Sequence, residues 1–533
     1  MSTTQSNVTR YSLIAAFGGF VFGLDLLNIS GAIRFISAQF GLTDNQQGMV
    51  IGATFWGVMG VLFFAGTLCE KFGRKRVLLS IALAYTVSTL MSAFATSYEM
   101  LLVGRFIGGA AFASLTVSAM YIGEVAPADQ RGKFVSVNQL MIALGIFVTS
   151  VVNYYLLQYL SQIEFITEAN VWRFMLGSEL IANVIWVALL LGVPESPRWL
   201  LKKGKDEQAK LALNKMMPAE QIDAFVVQVK ESFHNQSDSS TLTQLKNLFC
   251  GRMSWIIAIA VVYAVVQGGT GMNAVLSFAP MVFEQVGMST QDSFMQTVIM
   301  AVVNLAAVFI AIFTVEKLGR RKLTLGGLAL VVLAHSSIWF GFKDTTYVFD
   351  QAAYQRIQTE LTGQAVDLTK LANMVGQTYQ NDVALKAALA ERLTNNELPL
   401  ASGSVINQTI NGIKPLAVVF GIFAFIAAFN LSIGPIMWVI FSEIFPNNVR
   451  SIGLAFAALV QTVSSWAVSQ LFPWSLSNFG AANVFLMYAF IGLGGLIIMF
   501  LILPETKGKS IEQLEKDLVK KGKDECSMQT QNI

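Results

Sequence analysis

Histidine, cysteine and charge are all scarce in this 533-residue chain, which has two histidines and three cysteines. Cys69, Cys250 and Cys526 are scattered, with neither the pairing of a disulfide framework nor the spacing of a metal cluster. With only His234 and His335 to serve as imidazole bases, and no nucleophile beside a base, no catalytic constellation assembles. No Gly-x-x-x-x-Gly-Lys loop is present to hold a nucleotide. These absences exclude most enzyme classes and imply neither cofactor nor metal. Only 13% of residues are charged and the net charge is +3, which points to no nucleic-acid partner. The first ten residues carry one basic residue, Arg10, and no cleavage-like site, so the apolar run that follows reads as a retained helix.

What the chain has in abundance is apolar surface: 54% hydrophobic residues, 39 Phe and a mean hydropathy of +0.57. A helix needs about 20 apolar residues to cross a bilayer, because no water there can satisfy an open backbone group. Twelve such runs occur, at about 11–36, 46–68, 77–95, 100–122, 134–158, 172–193, 255–283, 295–315, 323–341, 413–441, 451–472 and 482–503. The expected fold is an all-α membrane protein of twelve helices. Short loops after the odd-numbered helices carry no Lys or Arg, whereas those after helices 2, 4, 8 and 10 carry eleven, from Lys71 to Arg450. By the positive-inside rule the even loops and both termini face the cytoplasm. The expected location is the plasma membrane, the inner one in a bacterium.

Two connections are long enough to be elements. Residues 198–254 open with Arg198, Lys202, Lys203 and Lys205 and read as a cytoplasmic helical linker between halves 1–197 and 255–503. Residues 342–412 lie outside, with five basic and seven acidic residues and helix-favouring composition. Asn407 there opens an Asn-Gln-Thr acceptor pattern, which matters only in a glycosylating host. Residues 504–533 form a cytoplasmic tail.

Three first-half motifs recur in order in the second half. Glu70-Lys71-Phe72-Gly73-Arg74-Lys75 matches Glu316-Lys317-Leu318-Gly319-Arg320-Arg321, Glu124 and Pro127 with Arg131 match Glu443 and Pro446 with Arg450, and Pro194-Glu195-Ser196 matches Pro504-Glu505-Thr506. The offsets of 246, 319 and 310 place the extra length of the second half in segment 342–412. All matched motifs fall on the cytoplasmic side, so the halves are parallel repeats about an axis along the membrane normal.

Such parallel repeats define the major facilitator class. Within it, Gly66 to Arg76, Pro194 to Leu200, Gly434-Pro435-Ile436-Met437-Trp438 and Pro504 to Gly508 resemble the signatures of the sugar porter family, over about Tyr11 to Lys509. The resemblance implies alternating access and a cytoplasmic gate of Glu70, Arg74, Glu124, Arg131, Glu195 and Arg198, with Glu316, Arg320, Glu443 and Arg450 in the second half. Charges at helix ends bridge neighbouring helices only when the bundle is shut on that side, so pairing biases the equilibrium between states.

A charge inside the bilayer costs about 2.5–3.5 kcal/mol even on insertion scales, so intramembrane ionisable groups are functional candidates. Asp25, Arg105 and Glu179 qualify. In the proton-coupled porters the residues similar to these three couple the proton; facilitators usually lack the acid of helix 1. His335, beside Ser336 and Ser337, reads as a helix-to-helix hydrogen bonder or a proton relay.

By the same resemblance Gln267, Asn273, Asn304, Trp438 and Gln461 contact sugar. Neutral amides suit hydroxyls, an aromatic face suits the C–H side of a sugar ring, and Gly268, Gly269 and Gly271 permit a break in helix 7. The chain departs from the family at Gly268, Ser277 and Ile146, where polar or larger groups are usual, and adds Asn430 in helix 10. The resemblance implies a monomer that moves a small neutral polyhydroxylated solute with a proton. Alternatives are a cyclitol such as myo-inositol, since the insertion resembles those of inositol carriers, uncoupled facilitation, and a sugar-sensing receptor on the same scaffold. The short tail after Glu505 speaks against the last.

Overall fold

A computed structural model describes residues 3–62, 64–126, 131–234, 248–249, 253–362, 365–446, 449–509, 513–514 and 518. Cys250, Cys526, and the side chains of Arg131 and Glu316 lie outside the described residues. Within them, the apolar runs fold as long helices. We number the spans 1 (Ser6–Phe40), 3 (Arg74–Ala93), 4 (Tyr98–Val125), 5 (Val137–Gln158), 6 (Val171–Leu191), 7 (Ser254–Ser277), 8 (Thr290–Val315), 9 (Arg320–Phe342) and 10 (Pro415–Ile444). Span 2 is the pair Asp44–Leu62 and Ala65–Phe72, bent by 52°. The last apolar helix, Ile452–Ile502, is 51 residues long. At about 1.5 Å per residue it measures more than twice the roughly 30 Å hydrocarbon core. Gly480, at φ 79° and ψ 160°, breaks it into spans 11 and 12. Among the described residues the count is therefore twelve, in keeping with the twelve apolar runs.

The boundaries differ from the expected ones where polar ends continue a helix. Span 1 extends past both 11 and 36 to Ser6–Phe40, and span 7 is interrupted rather than continuous. Close helix contact comes from glycine. A Cβ on Gly23 would lie 2.1 Å from the Ile142 carbonyl oxygen and one on Gly145 2.2 Å from that of Phe20, so spans 1 and 5 meet backbone to backbone. Gly57 and Gly109 do the same for spans 2 and 4, at 2.1 and 1.8 Å from the Phe106 and Thr54 carbonyl oxygens. Small residues in membrane helices admit this approach because lipid offers no hydrophobic drive to replace it.

The chain forms two compact units. The first comprises Met1–Leu26, Ala53–Thr149 and Leu176–Ser240; the second comprises Leu27–Gly52, Ser150–Met175 and Thr241–Ile533. The first has its core around Tyr85, Tyr121 and Trp186, all fully buried.

The insertion 342–412 holds a folded body within the second unit. Strand Thr346–Phe349 pairs antiparallel with Gln377–Tyr379 on one side and Ile410–Asn411 on the other. Helices Gln351–Glu360, Asp382–Ala390 and Glu397–Thr409 pack Ile357, Leu385 and Ile406 against Phe349 and Met374. Asn407 sits inside the last helix. Ties from the body to the spans include Asp382, which accepts from the Ala481 amide at 3.1 Å, Asp344, which accepts from Lys414 at 3.0 Å, and the Leu400 carbonyl, which accepts at 3.4 Å from Arg34 of span 1, itself paired with Glu284 at 2.5 Å.

Glu397 knits this body together. It accepts from Lys370 at 2.9 Å, from the Thr394 amide at 2.8 Å and from the Asp367 amide at 3.0 Å. The Lys370 ammonium and these amides hold its carboxyl down to about 2. A lowered native pKa gives stability that is complete above the ordinary value of 4.5 and lost as pH falls towards about 2. Glu397→Gln is expected to lower amide exchange protection in 366–374 and 394–401 at neutral pH, and wild type to fall to the same protection, each rate referred to the free-peptide rate at its own pH, only near pH 2. Equal exchange in both at neutral pH contradicts this role.

Candidate functional site

Asp25 of span 1 and Arg105 of span 4 meet inside the first unit. Arg105 Nη1 donates to Asp25 Oδ1 at 2.5 Å, with the two side chains 4% and 5% exposed. The glycine contacts on either side, Gly23 against span 5 and Gly104 against Ser92 of span 3, press these helices together around the pair. Asp25 Oδ2 and Arg105 Nε have no hydrogen-bond partner among the described residues. The pair is neutral overall. Removing one partner of such a pair strands a buried charge, at about 3–5 kcal/mol.

Glu179 is also buried and accepts from Asn183 at 3.3 Å, while Asn183 donates to Thr89 at 2.9 Å. Fully buried Tyr85 lies within electrostatic reach of Asp25, Glu179 and Arg105. The three intramembrane ionisable residues of the sequence thus share one buried neighbourhood.

At the predicted cytoplasmic end, the motif residues of each half form a cluster. In the first unit Arg74 pairs with Glu124 at 2.8 Å and Glu70 at 2.9 Å, and donates to the Cys69 carbonyl at 3.2 Å. Lys202 pairs with Glu70 at 2.8 Å, and Ser196 Oγ donates to Glu124 Oε2. In the second unit Arg320 pairs with Glu443 at 2.9 Å.

Glu195 works differently from the other acids. Its Oε1 accepts from the amides of Arg74 at 2.8 Å, Lys75 at 3.0 Å and Ser196 at 2.9 Å, so it caps the start of span 3. Gly73 at φ 93° makes the turn that exposes the Arg74 and Lys75 amides. Glu505, which the sequence reading left outside the gate, is its counterpart: it accepts from the amides of Arg320 at 3.0 Å and Arg321 at 3.2 Å after Gly319 at φ 87°. Burial pushes the Glu505 carboxyl up, but the amides of Lys507, Arg320, Arg321 and Thr506 outweigh it and leave it below the ordinary value. Arg198 forms no ion pair with a described residue, and Arg450 donates to the Phe445 carbonyl at 3.1 Å rather than to an acid.

Span 7 is built in pieces: Ser254–Gly269, Met272–Ser277, and then Ala279–Glu284. The first break is at Thr270 and Gly271, where φ is 89°. Gln267 and Asn273 flank it. Gln461 of span 11 donates to Gln267 Oε1 at 3.0 Å and to Ser465 Oγ at 2.9 Å, which joins two of the five candidate binding residues. Asn273 is half-buried and free of hydrogen bonds to described residues, Asn304 is buried in span 8, and Trp438 is 46% exposed with its ring edge-on to Phe441. Among the described residues no hydrogen bond links these last three to the Gln267–Gln461 pair. Asn430 bonds back to the Ile426 carbonyl at 2.9 Å and so satisfies its own helix. Gly268 has a packing reason: a Cβ there would lie 2.9 Å from Ser464.

Twelve spans in parallel repeats, two charge clusters at corresponding motifs, and a buried ion pair define a major facilitator transporter. The sequence pattern of the family described as "Sugar (and other) transporter" matches residues 11–349 and 399–518, and the chain belongs to that family. The unmatched stretch falls within the inserted body. The chain is 30% identical over 523 residues to the arabinose-proton symporter of Bacillus subtilis, covering 97% of each chain. It is 29% identical to the D-xylose-proton symporter of Escherichia coli, covering 96% of each, and 28% identical to the glucose transporter GlcP of Staphylococcus epidermidis, covering 96% and 98%. Among solved structures, inward-open XylE from E. coli matches at a TM-score of 0.72 and 26% identity, covering 96% of this chain and 100% of that one. XylE bound to 6-bromo-6-deoxy-D-glucose matches at 0.68 and 26%, covering 97% and 100%. The protein is a multi-pass membrane transporter, not an enzyme.

Proposed function

We propose that this transporter carries a monosaccharide or related polyol together with a proton, by alternating access, across a bacterial-type inner membrane with both termini cytoplasmic. The buried Asp25–Arg105 pair carries the reading. A carboxylate can move a proton when its affinity differs between two states, low beside the guanidinium and high when desolvated alone. Arabinose-proton and D-xylose-proton symporters among the relatives support the same coupling. The solute binds through Gln267, Asn273, Asn304, Trp438 and Gln461, whose amides and indole suit neutral hydroxyls and a ring face. A cyclitol presents the same hydroxyl chemistry and remains the second reading, favoured by the folded outer body at the position of the insertion.

Replacing Asn273 or Gln267 by Ala removes hydrogen bonds worth about 0.5–1.5 kcal/mol each, more where a partner is stranded. Each variant is expected to stay folded and to weaken half-saturation for the transported solute by about threefold to tenfold. Initial-rate uptake across D-glucose, D-xylose, L-arabinose and myo-inositol checks this; unchanged affinity in both variants places the solute elsewhere.

A further inference from the structure

We infer that His335 of span 9 is a positioning residue for the solute site: its Nε2–H replaces a helix hydrogen bond lost at the break in span 7 and fixes the orientation of Gln267 against Asn273. This rests on the reading of those two residues as solute ligands.

The break frees a carbonyl. In an unbroken helix the Thr270 oxygen accepts from the amide four residues on, but Gly271 turns into the left-handed region and that bond is absent. Thr270 is fully buried, where an unpaired carbonyl is costly. His335 Nε2 lies 3.0 Å from that oxygen, which makes Nε2 the protonated nitrogen. The Thr270 hydroxyl donates to the Gln267 carbonyl at 2.9 Å, so the residue held by His335 is itself bonded to the ligand residue on the first helix piece.

The imidazole has little freedom to do anything else. It is fully buried, with ring centroids of Phe425, Tyr488 and Phe485 at 4.3, 5.6 and 5.9 Å. Nδ1 has no partner among the described residues. Among the described residues no chain of hydrogen bonds runs through both nitrogens. Tyr488, part of the same cage, also fixes the turn: a Cβ on Gly271 would lie 2.6 Å from its ring. His335 and Tyr488 thus clamp the two residues of the break from one side.

The geometric consequence lies in the ligand residues. Gln267 and Asn273 are six positions apart, about 120° apart around an unbroken helix at 3.6 residues per turn. The break resets that angle, and whatever holds the break holds the pair of amides.

The test uses full-length protein in proteoliposomes and in detergent. His335→Phe keeps the ring in its cage and removes the donor; His335→Gln keeps a donor N–H at similar reach. His335→Phe is expected to raise the half-saturation constant for the best-transported of D-glucose, D-xylose, L-arabinose and myo-inositol by about tenfold, with maximal rate changed less than twofold. Amide exchange in segment 268–276 should rise with it. His335→Gln is expected to restore both. Unchanged exchange in His335→Phe overturns the bond. Raised exchange with unchanged half-saturation, while Asn273→Ala does weaken it, overturns the positioning role. If Asn273→Ala and Gln267→Ala both leave half-saturation unchanged, the solute-site reading fails, and with it the link from His335 to the solute. A fall in maximal rate that Gln does not rescue marks a packing role only and also overturns the proposal.

Discussion

Asp25→Asn is expected to abolish uphill accumulation driven by a pH gradient while sparing equilibrative exchange. The substitution preserves volume and a hydrogen-bond acceptor for Arg105 but removes the charge that binds the proton. Asn stands in for the protonated state, so the variant can still bind solute and reorient with the bundle. Loss of coupling should be complete, because Asp25 is the one carboxylate of span 1 within the bilayer and its partner is fully enclosed. Each variant strands one buried charge, but Asp25→Asn keeps an acceptor opposite the guanidinium whereas Arg105→Ala leaves no donor and a cavity opposite the carboxylate, so Arg105→Ala should be the worse. Counterflow of labelled solute separates the two effects: it should persist in Asp25→Asn and fall sharply in Arg105→Ala. If Asp25→Asn still concentrates solute on a pH gradient alone, the coupling group is another, with Glu179 next.

Arg74→Ala is expected to hold the transporter open to the cytoplasm and cut uptake by at least tenfold. Arg74 gathers two carboxylates and a carbonyl, and its side chain is only 10% exposed. The pair with Glu124 is more enclosed than a surface ion pair, for which about 0–1 kcal/mol would be the scale. Removing the guanidinium leaves Glu124 and Glu70 facing one another. A shift of about 2 kcal/mol in the equilibrium between states changes their ratio by about thirtyfold. Single cysteines placed near the cytoplasmic mouth should label faster in Arg74→Ala, and Arg320→Ala should behave alike through Glu443. Unaltered labelling in both variants means that the clusters set topology and do not gate.

Much of this was legible in the sequence because the membrane forces it into one dimension. Span number follows from apolar length, and the Asp25–Arg105 pair from the expense of a lone charge in lipid. What escaped depends on backbone geometry that no periodicity encodes. Glu195 is one acid of the expected gate, and its capping role shows only in the structure, where Gly73 turns the Arg74 and Lys75 amides towards it; Glu505 caps Arg320 and Arg321 after Gly319 in the same way. The outer insertion read as helical, since its strands are only two to four residues long and the apolar pattern of its helices is ordinary. His335 could be seen to bond between helices, but its acceptor exists only because span 7 breaks at Thr270.

The most direct test of proton-coupled solute transport is uptake into proteoliposomes with an acidic exterior, an alkaline interior and no other gradient. Coupling through Asp25 predicts that at least one of D-xylose, L-arabinose, D-glucose or myo-inositol accumulates above its external concentration, with matching alkalinisation of the medium, and that a proton ionophore abolishes both. Uptake that stops at the external concentration, unchanged by the pH gradient or the ionophore, contradicts it.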